Sequence, residues 1–263
     1  MTRHRISQLA AMTLAVLMVA GCGHTTSSTP APTTIVAPPP AYYIPPDQVR
    51  NASAVWSADP PIDLLSLEAA LVRAALESDL IGRAAGIDKT YPGFEEALDR
   101  SQRFRYNRDS SRGASSGTMR GHIQTITPTP TGFTAFFCIQ FNNLARLVDN
   151  GEYVRSHALA IGTLIEFIRY PALDPSATAT TTPKTNTPDT SSNGTWQAPT
   201  YDVFTGWRVD YPSTGMLEEN NARCAPWSLT IDPTATDRRG ETIRSKEPPP
   251  TQPAFPGWST RPR

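Results

Sequence analysis

Gly132-Phe133-Thr134-Ala135-Phe136-Phe137-Cys138-Ile139-Gln140-Phe141-Asn142 repeats with a period of two. Phe133, Ala135, Phe137, Ile139 and Phe141 share one face, leaving Phe136 and Cys138 on the other. Successive strand side chains point to opposite faces, so this stretch reads as a strand with one apolar side against a core. Pro128-Thr129-Pro130-Thr131-Gly132 breaks the chain just before it, and Thr118 to Thr127 reads as the preceding strand. Downstream, Asp149-Asn150-Gly151 is a hairpin signal, because Asn-Gly tolerates the positive φ angles of a tight turn. Leu159, Ile161, Thr163, Ile165 and Phe167 resume the alternation, although His157 to Tyr170 also fits a buried helix. Tyr201 to Tyr211, with Gly206-Trp207-Arg208-Val209, reads as a last long strand.

Ahead of the strands the period is helical. A helix is expected from Pro60 to Ala85, capped by Asp59 with Pro60 at its first position and stopped by Gly86. Leu65, Ala69, Val72 and Leu76 make its apolar face, widened by Leu64, Leu67 and Leu71. Asp63, Glu68, Arg73 and Glu77 fall largely opposite, toward solvent. A shorter helix is expected from Pro92 to Phe104, pairing Phe94 with Leu98. Helices first and antiparallel strands after them imply an α+β domain with helices covering one sheet face.

The flanks read differently. Met1 to Arg5 carries Arg3 and Arg5, Leu9 to Ala20 is apolar apart from Thr13, and Val19-Ala20-Gly21-Cys22 follows. About a dozen apolar residues are too few to span a bilayer, which needs roughly 20. A basic start, a short apolar run and small residues describe a removable export signal, residues 1–21. Val19-Ala20-Gly21-Cys22 resembles the lipobox of bacterial lipoproteins, which implies diacylglyceryl attachment to Cys22 and cleavage before it. Two acyl chains suffice for stable anchoring, each buried methylene contributing about 0.8 kcal/mol. Residues 22–58 are Thr/Ser/Pro-rich and read as a lipidated linker. A domain is expected over 59–236, with a low-complexity insertion at 171–200 and a disordered Pro-rich tail at 237–263. Without the insertion the domain has about 150 residues, an ordinary single-domain size.

Removing residues 1–21 leaves 22 basic against 24 acidic side chains, which gives no electrostatic case for nucleic-acid binding. With Cys22 lipidated, Cys138 and Cys224 remain, and outside the cytoplasm they read as one disulfide. A free reactive thiol pair is the competing reading.

Anchor, Thr/Pro linker, helices, the Phe-Phe-Cys-Ile-Gln-Phe strand, Leu147-Val148-Asp149-Asn150-Gly151, Gly-Trp-Arg-Val and Cys224 come in a familiar order. The pattern resembles small uncharacterised lipoproteins of mycobacteria and related actinobacteria, some of them phage-borne. That resemblance covers residues 60–235 and implies a nuclear transport factor 2-like cone, with helices wrapped on a bent antiparallel sheet. The insertion at 171–200 departs from the compact pattern. The cone serves enzymes and non-enzymes alike, so no functional residue is carried over.

Chemical motifs are sparse. Gly113-Ala114-Ser115-Ser116-Gly117 matches a nucleophile elbow, but a polar loop precedes it and a strand follows, where the motif needs a strand and then a helix. A flexible loop is the expectation there. His122 and His157 are candidates for a general base or a ligand contact, set against a surface-strand reading. Two histidines at this spacing make no recognisable metal site, and no cofactor is expected. Arg100, Arg103, Arg105, Arg108 and Arg112 form a candidate anion-binding patch for wall polymer or lipid headgroups, diluted by Asp99 and Asp109. Phe133, Phe136, Phe137, Phe141, Phe167 and Trp207 read as core, with some free to line a pocket.

The expected function is therefore a membrane-anchored, extracytoplasmic lipoprotein on the outer face of the cell membrane. Its domain would be a non-enzymatic module binding another envelope protein, wall polymer or an apolar ligand. The alternatives are a small cone-fold enzyme using His122 or His157, and a phage or mobile-element lipoprotein acting in infection exclusion.

Overall fold

In a computed structural model, the chain from residue 43 onward builds a seven-stranded mixed sheet in which β1 (Asn51–Ala58), β2 (Ser115–Thr129), β3 (Gly132–Leu147), β4 (Tyr153–Ser156) and β7 (Thr242–Ser245) lie side by side in that order. The structure describes residues 43–106, 113–170, 195–211, 218–236 and 241–258. The export signal, Cys22, most of the Thr/Ser/Pro stretch and residues 171–194 of the insertion lie outside the described residues. All described residues fall in one unit, Pro40–Arg263.

The hairpin of β2 (Ser115–Thr129) and β3 (Gly132–Leu147) is the backbone of the sheet, turning at Pro130-Thr131. β3 is long enough to serve two partners. Its first half pairs with β5 (Ile161–Arg169), and its end pairs with β4 (Tyr153–Ser156) after the Asp149-Asn150-Gly151 turn. Gly151 has φ 76°, as that turn requires. Residues 161–169 are strand, so the buried-helix alternative there does not hold. β6 (Trp207–Asp210) adds to β5 but is shorter than the expected 201–211, because residues up to Gly206 are held in turns by the Asp202 carboxylate.

The alternation of β3 sorts its side chains as its sequence implies. Phe133, Ala135, Phe137 and Ile139 enter the main core with Met119, Ile123, Ile165 and Phe167. Phe136 and Cys138 enter a second, smaller cluster on the opposite face. Both faces are thus covered: α1 (Leu67–Ala85) contributes to the main core, and α3 (Glu218–Ile231) packs over β5 and β3 on the other.

Several expectations need correction. β1 (Asn51–Ala58) lies inside the stretch read as linker, yet it pairs in parallel with β2 and buries Ala52, Ala54 and Trp56. The sheet is therefore mixed rather than antiparallel. Small alternating residues carry little hydrophobic signal, and only Trp56 supplies bulk; Gly121 makes room for it, since a Cβ there would lie 2.5 Å from the indole. The tail at 237–263 is also ordered in part. β7 (Thr242–Ser245) pairs with β4, and Phe255 pairs with β1 through Trp56 N–H to Phe255 O (2.6 Å) and Phe255 N–H to Ala54 O (3.1 Å). Composition undercounts such a segment, because satisfying a sheet edge stabilises it as apolar burial does.

Helix α1 begins at Leu67, not Pro60: the Ser66 hydroxyl caps it, accepting from Ala69 N–H, while Asp63 holds a turn ahead of it. Leu65 is consequently partly exposed, whereas Ala69, Leu71, Val72 and Leu76 are buried. The expected helix over 92–104 is broken into α2 (Phe94–Ala97) and a 3-10 helix at Arg100–Arg105, because Leu98 turns extended to bridge Val209. Cys224 sits in α3, a helix that Pro226 and a polar composition conceal in the sequence.

Candidate functional site

The largest departure from expectation lies on α1. Arg73 and Glu77, one turn apart and read as solvent-facing, are 2% and 1% exposed. The Glu77 carboxylate accepts from Trp56 Nε1 (2.9 Å), Tyr91 Oη (2.7 Å) and Trp258 Nε1 (3.0 Å). Arg73 donates to the carbonyls of Leu64, Pro256 and Gly257, and its guanidinium lies 4.2 Å from the Trp258 ring. Burial pushes the Glu77 carboxyl up, opposed chiefly by the charge of Arg73. The same burial pushes Arg73 down, opposed by Glu77. Burial and the charge of Glu77 both raise the Tyr91 phenol.

Three segments read as linker, insertion and tail converge on this hub. Tyr43 meets the Tyr91 ring edge-on at 5.2 Å and donates to Lys89 O. Trp196 donates from Nε1 to Tyr91 Oη at 2.9 Å. Trp258 meets Tyr91 at 6.0 Å. An aromatic ring with a polar tip suits this role, since it supplies contact area and one directed hydrogen bond together. The hub fixes where each flanking segment meets the domain.

On the opposite sheet face, Cys138 of β3 and Cys224 of α3 form a disulfide, with Cα atoms 5.6 Å apart. Both cysteines are fully buried, so the free-thiol reading does not hold in this structure. Around the bond, α3 is held by Gln140 Nε2 to Ser228 Oγ (2.9 Å), Ala160 N–H to Ser228 Oγ (2.9 Å) and Gly162 N–H to Asn221 Oδ1 (3.1 Å).

His122 lies beside the disulfide, opposite Cys138 in the β2–β3 register. It is buried, where a surface strand position was the plainer expectation. Its Nδ1 is 2.8 Å from Ser57 Oγ, its Nε2 is 3.2 Å from Asp59 Oδ1, and its ring stacks on Trp227 at 5.1 Å. Burial holds the imidazole below its ordinary value, outweighing Asp59. The folded state then resists protonation more than the unfolded chain does. Stability associated with His122 is full above the unfolded pKa of about 6.5 and falls as pH drops through it. Between pH 7 and 5 the urea midpoint should therefore fall less steeply in His122→Gln than in wild type; parallel slopes would contradict the assignment.

His157 has a different setting. Its Nε2 lies 3.1 Å from Thr234 Oγ1 and 3.6 Å from Asp232, and its Nδ1 lies 3.6 Å from Glu241. Among the described residues no group of three or more histidine, cysteine or acidic side chains is placed to hold a metal ion.

The arginine patch is only partly visible, since Arg108 and Arg112 lie outside the described residues. Arg103 donates to Leu98 O and Glu96 O, and Arg105 lies 5.8 Å from the Tyr211 ring, so both are engaged by their own chain. Arg100 is exposed. Of the elbow residues, Ser115, Ser116 and Gly117 form the start of β2, with both serines buried, so they are neither a loop nor a nucleophile elbow. Phe133, Phe136, Phe137, Phe167 and Trp207 are buried as expected, and Phe141 packs partly buried against the main core.

An open cleft of about 410 Å³ lies between α2, the end of β5 and the turn before β6. Glu96, Asp202, Tyr170 and Trp207 are among its walls. Burial raises the Asp202 carboxyl, opposed by the Phe204 and Thr205 hydrogen bonds, and Glu96 adds to the rise. Sequence reading named none of Glu96, Asp202 or Tyr170 as a site; the signal was the turn chemistry around Asp202 and Gly206.

Among the described residues no helix is long and apolar enough to cross a membrane. No protein-family model, no curated protein and no solved structure matches the chain, so every role assigned to a residue rests on its own chemistry and geometry.

Proposed function

We propose that this protein is a lipid-anchored, extracytoplasmic binding module, held on the outer face of the cell membrane through Cys22. The observation that carries the reading is the Cys138–Cys224 disulfide. Structural disulfides persist in oxidising compartments, and pairing these two cysteines leaves Cys22 as the single remaining thiol of three. The apolar run ending in Val19-Ala20-Gly21-Cys22 supplies the matching export and anchoring signal. The cleft walled by Glu96, Asp202, Tyr170 and Trp207 gives the module a concave surface for a polar or cationic ligand.

A cone of the nuclear transport factor 2 class is the finer fold reading. Its support is α1 packed into the main core and the register shifts in β2 at Thr118/Arg120 and Ile123/Thr125. Such bulges bend a strand and increase its twist. Metabolic labelling with an alkynyl fatty acid tests the anchoring. Wild-type protein should be labelled and membrane-bound, and Cys22→Ala should be unlabelled. An unlabelled wild type, or label retained in Cys22→Ala, overturns the reading.

A further inference from the structure

The geometry points to Ser57, His122 and Asp59 as a catalytic triad for hydrolysis of a carboxylic ester, with Ser57 Oγ as nucleophile. This goes beyond the anchored-module reading and does not depend on Cys22. β1 and β2 run parallel with Ser57 directly beside His122, so the two side chains stand together on the sheet face away from the main core. Asp59 follows Ser57 by two residues, and its N–H to Ile123 O (2.9 Å) pins it past the strand end, where its carboxylate reaches the far nitrogen of the ring.

The hydrogen bonds define the tautomer. Asp59 is a carboxylate and only accepts, so the Nε2 facing it carries the proton. Nδ1 is then the acceptor, 2.8 Å from Ser57 Oγ, which is the distance and direction a general base needs. Trp227 stacked at 12° to the ring fixes its plane. The group reaches solvent, because the Asp59 side chain is 54% exposed and Ser57 is half-buried. Arg120, two residues before His122 on the same strand, is engaged elsewhere, its Nη2 donating to Gln252 Oε1 at 2.7 Å.

The step balances with water as the only co-reactant. Ser57 Oγ bonds to the acyl carbon as its proton passes to His122 Nδ1. The ester C–O bond breaks, and that proton goes to the departing alkoxide. Water, losing a proton to the same nitrogen, then attacks the acyl-serine, releasing the carboxylic acid and restoring the Ser57 hydroxyl.

A fluorophosphonate probe on the folded full chain tests this directly, since Ser57 Oγ would displace fluoride and keep the phosphonyl group. Peptide mapping should place the adduct on Ser57. Labelling should vanish in Ser57→Ala, fall at least about 100-fold in His122→Gln, and persist in Ser115→Ala. p-Nitrophenyl butyrate hydrolysis should follow the same order. Asp59→Asn, conservative at a half-exposed site, should slow labelling while leaving the circular dichroism spectrum unchanged. Absence of labelling in folded wild type, or labelling that survives Ser57→Ala, overturns the proposal.

Discussion

Glu77→Ala is expected to lower the free energy of unfolding by about 3–5 kcal/mol, the range for breaking a buried charge pair from one side. The substitution leaves Arg73 buried without its countercharge and removes the shared acceptor of Trp56, Tyr91 and Trp258. Arg73 keeps its carbonyl partners at Leu64, Pro256 and Gly257, so it stays in place and bears the desolvation uncompensated. A double variant, Arg73→Met with Glu77→Leu, should recover part of the loss, because apolar replacement of a whole buried pair is often neutral. Recovery should be incomplete, since two indole N–H groups lose their acceptor in either variant. Equilibrium urea unfolding followed by tryptophan fluorescence measures both. A cost below about 1 kcal/mol for Glu77→Ala would mean the pair is solvated and the hub is open.

The second large effect concerns the other face of the sheet. Replacing both Cys138 and Cys224 by alanine should cost about 2–5 kcal/mol, the usual range for a native disulfide. With a sequence separation of 86 between the cysteines, the chain-entropy contribution alone is about 4–5 kcal/mol. The loss should be local in character. The cluster beneath α3 is small, comprising Phe136, Cys138, Ala160 and Cys224 with Leu164 and Trp227 beside it. Helix α3 has little apolar surface to hold it once the bond is gone. Amide hydrogen exchange should therefore accelerate across Glu218–Ile231 while the amides of α1 stay protected. Unchanged exchange in α3 would show that Ser228, Asn221 and the cluster suffice without the bond.

What was legible in the sequence divides along physical lines. β2, β3 and β5 alternate with large side chains, so their period, and the Asn150-Gly151 turn that follows β3, could be read locally. β1 alternates as well, but through alanine and serine, whose contrast is too weak to see beside a proline-rich neighbour. The burial of Arg73 and Glu77 was not legible at all. Their covering partners Pro256, Gly257 and Trp258 lie more than 180 residues downstream, and no window of helical periodicity reaches them. Ser57, Asp59 and His122 were hidden for a related reason. The stretch holding the first two reads as linker and start of a helix, and only the parallel pairing of β1 with β2 brings them to the histidine. The disulfide, by contrast, followed from counting cysteines and asking which compartment the chain enters.

Intact-mass spectrometry of the protein extracted from membranes brings the address and the covalent structure together. The expected mass is that of a chain lacking residues 1–21, heavier by a diacylglyceryl group on Cys22 and lighter by two hydrogens for the Cys138–Cys224 bond. A mass that retains the first 21 residues, carries no lipid, or reports two free thiols would contradict it.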